Sequence, residues 1–144
     1  MEYEAIKIGQ YYKVDERTTI EPFSTDHTVP CSGYIVSKEN SAIHIAADTH
    51  SLESIINYIS SKTFIKSLVI EYSFTNAFNG LAKKSKYLTS ILLFKALKSL
   101  EKRGLKFYIN HLKPSYVEKI TDEIQSMKGD WDVTIIKNDD TIRY

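Results

Sequence analysis

The sequence contains a single cysteine, Cys31, and no long apolar run. One cysteine excludes an internal disulfide and a paired-cysteine zinc site, and it is typical of a reducing compartment. No apolar run approaches the roughly 20 residues that a membrane-spanning helix needs. The N-terminus also lacks a basic region followed by an apolar one, so a secretion signal is not expected. We therefore predict a cytoplasmic protein without a membrane anchor.

Strong charge of either sign is also absent. The 144 residues carry a formal net charge of +1, which provides no field that would favour nucleic acid or an anionic membrane as a partner. Hydrophobic residues make up 42% and charged residues 26% of the chain, which is typical of a globular protein. The length predicts one domain over residues 1–144. No P-loop, GxGxxG or GxSxG motif occurs, which excludes the common nucleotide-binding and serine-hydrolase signatures.

Hydrophobic periodicity predicts an α/β fold with one mixed sheet and about three helices. Residues 1–48 are rich in strands: an edge strand within 4–14, a strand at 18–25 that contains Pro22, and a hairpin formed by 31–38 and 41–47. Residues 51–137 alternate helix and strand. Helices are predicted at 51–61, 89–103 and 115–128, and strands at 66–72, 105–110 and 131–137, with residues 73–87 irregular and a turn at Gly80.

Three residues with metal-ligand side chains occur where predicted strands end: His27, Asp48 and His111. Such positions lie at the edge where α/β sheets place ligand sites. Imidazole and carboxylate together suit zinc or manganese. Each of these residues taken alone is more often structural than catalytic. His50, near the start of the first helix, is a weaker candidate, and His44 is interpreted as structural because it lies within a strand.

Five segments carry a family resemblance, in this order: residues 26–36 (DHTVPCSGYIV), 47–50 (ADTH), 69–74 (VIEYSF), 81–89 (from LA to LT) and 111–114 (HLKP). Together they resemble the C-terminal half of the metallo-β-lactamase fold. The resemblance is strongest to the cyclic-nucleotide phosphodiesterases, with the tRNA 3′-processing endonucleases more distant. It covers roughly residues 18–137. It implies one βα half of an αββα fold and a metal-dependent phosphodiesterase activity.

The resemblance also implies roles for individual residues. His27 resembles the third histidine of the first metal, Asp48 the carboxylate that bridges two metals, and His111 the last histidine of the second metal. Glu71 matches a family acid that we interpret as structural, although it and His50 remain possible additional ligands. The family uses two bridged ions, zinc or manganese, to hold a hydroxide that attacks phosphorus.

Several departures from the family pattern bear on function. The motif His-x-His-x-Asp-His, which supplies most of the ligands, is absent from the chain. Ala47 replaces the glycine that usually precedes the bridging aspartate, and Tyr87 replaces a histidine often found before Leu-Thr. His50 stands where small residues are usual. The implied site is therefore incomplete, and this chain alone is expected to be inactive.

Two functions remain open. The chain is either the C-terminal half of a phosphodiesterase acting on cyclic nucleotides or related phosphodiesters, or a non-catalytic homologue that serves as a binding or assembly module. Half of the fold would leave one sheet face bare, which is rarely tolerated. We therefore expect a longer protein, a second chain with the missing ligands, or a homo-oligomer to cover that face.

Overall fold

Seven strands form one sheet in which the spatial order follows the order along the chain. The structure, a computed structural model, describes residues 5–100 and 104–144. Within this part of the chain the strands are β1 (Tyr12–Lys13), β2 (Thr18–Ser24), β3 (Ser32–Lys38), β4 (Ser41–Ile45), β5 (Ile65–Glu71), β6 (Lys106–Asn110) and β7 (Asp132–Ile135). Strands β1 to β4 pair antiparallel and β4 to β7 pair parallel. The predicted mixed sheet is confirmed.

Helices connect the parallel strands. They are α1 (Glu53–Ser60) between β4 and β5, α2 (Asn79–Ser85) and α3 (Ser90–Leu97) between β5 and β6, and α4 (Val117–Met127) between β6 and β7. A parallel pair needs such a crossover because the chain must return to the same end of the sheet. No helix in the described part of the chain is long and apolar enough to cross a membrane.

The hydrophobic core lies between one face of the sheet and helices α1, α3 and α4. The helices contribute residues such as Ile55, Leu93 and Ile120, and the sheet contributes residues such as Leu68 and Phe107, all fully buried. The predicted stripe on the first helix is part of this core, since Ile55, Ile56 and Ile59 are buried. Apolar residues at helical spacing thus attach the helices to the sheet.

The opposite face of the sheet, here called the open face, is defined by Tyr34, Val36, Ile43, Val69 and Tyr108. The strand register links these positions, because Val36 pairs with Ile43, Tyr34 with Ile45, Ile45 with Val69, and Val69 with Tyr108. None of the five belongs to the core cluster or to the partly buried hydrophobic residues packed against it. Tyr34 is 36% exposed, Val36 and Tyr108 are partly buried, and Ile43 and Val69 are each 5% exposed. The open face is therefore an apolar surface outside the helix-covered core, and it is exposed mainly at Tyr34.

The structure corrects the prediction that residues 73–87 are irregular. They contain a 3-10 turn at Asn76–Phe78 followed by α2, so the described residues form four α-helices rather than about three. Gly80, predicted as a turn, lies within α2. Only Ala82 of this helix is buried, so α2 has no apolar stripe that periodicity could detect.

Other boundaries are shorter than predicted. The edge strand expected within residues 4–14 is reduced to the two residues of β1, and residues 1–4 lie outside the described part. The helix predicted to end at 103 ends at Leu97, and residues 101–103 are also outside that part. Because β1 pairs only with Thr19 and Ile20, Pro22 lies in a stretch of β2 that β1 does not cover. At this position the missing N–H of proline breaks no pairing with β1, and the Pro22 carbonyl accepts the N–H of Gly9 at 2.9 Å.

His44 is a fully buried histidine within β4. Both of its ring nitrogens lack a hydrogen-bond partner among the described residues, and the ring packs edge-on against Phe23 with centroids 5.1 Å apart. Burial lowers the pKa of His44 from 6.5 to about 4. Since the charged form is disfavoured in the core, the unfolded chain binds a proton more readily than the folded one.

We expect the free energy of unfolding to fall as the pH is lowered from about 6.5 to about 4, because unfolding then releases His44 to take up a proton. The shift corresponds to roughly 3 kcal/mol. Urea denaturation of the wild type and of His44→Leu at several pH values measures this. The carboxylates are the same in both proteins, so the difference between their pH dependences of unfolding free energy reports on His44. Identical pH slopes in the two proteins would contradict the interpretation.

Candidate metal centre

Three acidic or imidazole side chains come from the carboxyl ends of three neighbouring parallel strands. Asp48 lies in the loop after β4, Glu71 is the last residue of β5, and His111 follows β6 directly. Strands β4, β5 and β6 are adjacent and parallel, so their carboxyl ends meet at one edge of the sheet. This is the edge at which open α/β sheets bind ligands.

The ligand-type atoms of Asp48, Glu71 and His111 all lie within 4.8 Å of one another. His111 Nδ1 is 3.2 Å from Glu71 Oε2, so the imidazole N–H donates to this carboxylate. Asp48 Oδ1 is buried and has no hydrogen-bond partner among the described residues. Buried acceptors are rarely left without a donor or a cation. We call these three residues the metal cluster.

The electrostatics of the metal cluster also favour a cation. Burial raises the pKa of Glu71, and the neighbouring Asp48 carboxyl raises it further, while the His111 imidazole lowers it. Two carboxylates sharing a partly buried site repel each other unless a proton or a cation is present. Two carboxylates and one imidazole form a donor set that suits a divalent ion such as zinc or manganese. The residues present therefore fit a metal.

Two members of this edge adopt a left-handed backbone conformation that favours glycine. Ala47, directly before Asp48, has a φ of 52°, and His111 has a φ of 56°. The glycine expected before the aspartate is explained by this conformation, because an alanine there costs about 1 kcal/mol or more. The chain thus keeps the turn that presents Asp48 even though the glycine is replaced.

Close backbone packing supports the same region. A Cβ atom added to Gly33, near the start of β3, would lie 2.5 Å from the carbonyl oxygen of Ile45 and 3.1 Å from that of Ala46. Only glycine allows β3 to approach the end of β4 so closely. The segment that leads into Asp48 is therefore positioned by the backbone of β3.

His27 and His50 lie near this edge but outside the group of atoms that forms the metal cluster. His27 Nδ1 is 3.2 Å from the carbonyl oxygen of Lys86, and His50 Nδ1 is 2.9 Å from that of Tyr87. Because a carbonyl only accepts, Nδ1 is the donor in both rings, and Nε2 is the ring nitrogen not used by these hydrogen bonds. Metal-binding histidines are commonly oriented in this way. The metal roles of His27 and His50 remain predictions.

Hydrogen bonds join the loops that carry these histidines. The backbone N–H of His50 donates to the carbonyl oxygen of Asp26 at 2.9 Å, and the Asp26 N–H donates to Thr49 Oγ1 at 3.3 Å. Lys86 Nζ forms an ion pair with Asp26 Oδ1 at 2.6 Å. The loops after β2, β4 and α2 are thereby held as one unit beside the metal cluster.

No protein-family model and no curated protein sequence matches this chain. Solved structures do match. The metallo-β-lactamase fold protein YhfI from Bacillus subtilis superposes with a TM-score of 0.74 at 18% identity, covering 93% of this chain and 52% of YhfI. The short form of human tRNase Z gives a TM-score of 0.62 at 18% identity, covering 88% of this chain and 43% of the tRNase.

The chain has one half of the metallo-β-lactamase fold. A Parabacteroides distasonis protein assigned as a metal-dependent hydrolase gives a further match, with a TM-score of 0.60 at 17% identity, over 93% of this chain and 57% of that protein. The chain therefore spans about half the length of these structures. The predicted metallo-β-lactamase fold is confirmed, whereas the resemblance to the cyclic-nucleotide branch remains a prediction.

Glu71, which the sequence analysis interprets as structural or as a possible additional ligand, lies within the metal cluster. Its role as a ligand remains a prediction. A signal was present, because Glu71 ends the most buried strand of the sheet, at the same edge as Asp48 and His111. An acid at the carboxyl end of a central parallel strand is a ligand candidate for this reason alone.

We expect zinc or manganese to bind the chain, and Asp48→Asn to weaken binding by at least about tenfold because the buried anionic ligand is lost. Affinity should also fall as the pH is lowered, because protons compete with the metal for the carboxylates, and the raised pKa of Glu71 makes this competition begin at a higher pH. Isothermal titration calorimetry measures both effects. Asp132→Asn, at the opposite edge of the sheet, is the matched control. Equal affinity in wild type and Asp48→Asn would remove the metal assignment.

Proposed function

We propose that this chain provides the C-terminal half of the active site of a metal-dependent hydrolase that cleaves phosphodiesters, with cyclic nucleotides as the substrate class. The observation that carries the proposal is the convergence of Asp48, Glu71 and His111 at one edge of a metallo-β-lactamase half-fold. The match to the short form of human tRNase Z and to a protein assigned as a metal-dependent hydrolase supports hydrolysis as the reaction class.

The roles of the residues follow from their geometry. Asp48 and His111 would hold the metal, and Glu71 would either join them or orient His111 through the 3.2 Å hydrogen bond. His27 would add a further ligand through Nε2, because its Nδ1 is held by the carbonyl of Lys86. A bound metal would supply a hydroxide near neutral pH and a Lewis acid for the phosphoryl oxygens.

The number of ligands limits what the chain can do alone. His27, Asp48 and His111, even with Glu71, are too few to hold two bridged ions, and the sequence lacks His-x-His-x-Asp-His. We propose that the missing ligands come from a second βα layer. The coding sequence immediately upstream can be read for an in-frame His-x-His-x-Asp-His, which would place both halves in one protein.

A second candidate function is favoured by the departures from the family pattern. The missing motif, together with Tyr87 in place of a histidine, fits a homologue that has lost catalysis and serves as a binding or assembly module. This module would not need metal. Metal titration separates the two candidates, because only the hydrolase half is expected to bind zinc or manganese through Asp48.

We expect the isolated chain with zinc or manganese to hydrolyse cyclic AMP and bis(p-nitrophenyl) phosphate no faster than the free ion does, because the site lacks ligands for a second ion. A colorimetric assay and chromatography of the products measure this. Turnover that depends on Asp48 would contradict the expectation, and it would mean that the chain carries a complete site.

We also propose that the open face packs against that second βα layer, supplied by the remainder of a longer protein, by another chain or by a second copy. For a chain that pairs with itself, light scattering should give a mass near twice 16.6 kDa. Tyr34→Lys should reduce the mass to that of one copy, because a charge is placed in an apolar interface. Ile91→Lys, on the exposed side of α3, is the control and should leave the mass unchanged. A wild-type monomer that binds no apolar dye would count against a sheet face in need of a partner.

A further inference from the structure

A lysine at the metal-cluster edge is held on two aromatic rings. Lys113 follows His111 by two residues, and its Nζ lies 4.1 Å from the centroid of the Phe74 ring and 5.8 Å from that of Tyr87. The two rings pack edge to face with centroids 5.6 Å apart, and Phe74 is buried. Cation–π contacts of this kind fix the position of an otherwise mobile ammonium group.

Tyr87 connects Lys113 to the histidines beside the metal cluster. The carbonyl oxygen of Tyr87 is 2.9 Å from His50 Nδ1. The Tyr87 ring packs edge to face against the ring of His27, with centroids 5.2 Å apart. The aromatic pair therefore links the ammonium of Lys113 to the residues around the metal cluster.

Lys113 is not neutralised by any acid within salt-bridge distance in the described part of the chain. Lys86, the other lysine at this edge, differs because it is paired with Asp26 at 2.6 Å. Lys113 is therefore a positive charge at this edge that no described acid offsets, and such a charge suits an anionic ligand.

We propose that Lys113, held on Phe74 and Tyr87, is the subsite for the phosphoryl oxyanion of a phosphodiester substrate. The inference rests on the proposed function and adds the residue that recognises the substrate. An ammonium group binds phosphate oxygens as a point charge, and such charge-assisted hydrogen bonds are stronger than neutral ones. Within the proposed function this anion is a phosphodiester, which is a monoanion.

Dimethyl phosphate is a suitable probe because it is a diester monoanion without an aromatic group. We expect NMR titration of the zinc-loaded full chain to show binding that Lys113→Gln weakens about tenfold, since a charge-assisted hydrogen bond is lost. Lys113→Arg should retain most of the affinity, because it keeps the charge. Lys128→Gln, a matched change at the far end of α4, should have no effect. Zinc affinity, measured by calorimetry, should be unchanged in all three variants.

The same measurement in a double variant without the two carboxylates separates this inference from the metal assignment. In Asp48→Asn/Glu71→Gln both negative charges are removed, so dimethyl phosphate should bind through Lys113 without metal. If zinc fails to bind the wild type, the proposed function fails, but Lys113-dependent binding in this background would still support the subsite. Affinity that is independent of Lys113 in both backgrounds, or no binding of dimethyl phosphate in either, overturns the inference.

Discussion

Parallel pairing of three consecutive strands is the constraint on which the rest of the structure depends. Because β4, β5 and β6 run in the same direction side by side, the loop after β4, the last residue of β5 and the residue after β6 share one edge. The helices that make this pairing possible occupy one face, and their packing against Leu68 and Phe107 fixes the sheet. Asp48, Glu71 and His111 meet as a consequence of that topology.

This convergence brings two carboxylates close enough to repel each other. Two carboxylates are brought together where burial already raises the pKa of Glu71, and one oxygen of Asp48 has no donor among the described residues. A folded chain keeps such an arrangement only where the surrounding structure or a ligand compensates for it. The close approach of Gly33 to the end of β4 and the left-handed turn at Ala47 provide the structural part.

Sequence periodicity was sufficient to predict those helices and strands that bury an apolar face. The hairpin β3–β4, the buried strand β5 and helices α1 and α4 follow from alternation or from apolar residues at helical spacing. It was insufficient for α2, since this helix buries only Ala82 and is recognised only from its backbone. The proximity of Glu71 to Asp48 and His111 was not predicted for a different reason, because these neighbours are distant from it in sequence. His27 and His50 were identified as candidates, but the sequence could not show that both bind the successive carbonyls of Lys86 and Tyr87.

Pro22 has a consequence for how this chain can associate. Among the described residues, β1 pairs with β2 only at Thr19 and Ile20, and strand edges without a partner strand are sites at which another chain can add a strand. Proline has no backbone N–H to donate, and its carbonyl already accepts the N–H of Gly9 at 2.9 Å. Growth of the sheet by strand addition is therefore disfavoured on this side. Strand addition would then be left to the other edge strand, β7, so the two edges of this sheet are not equally able to pair with another chain.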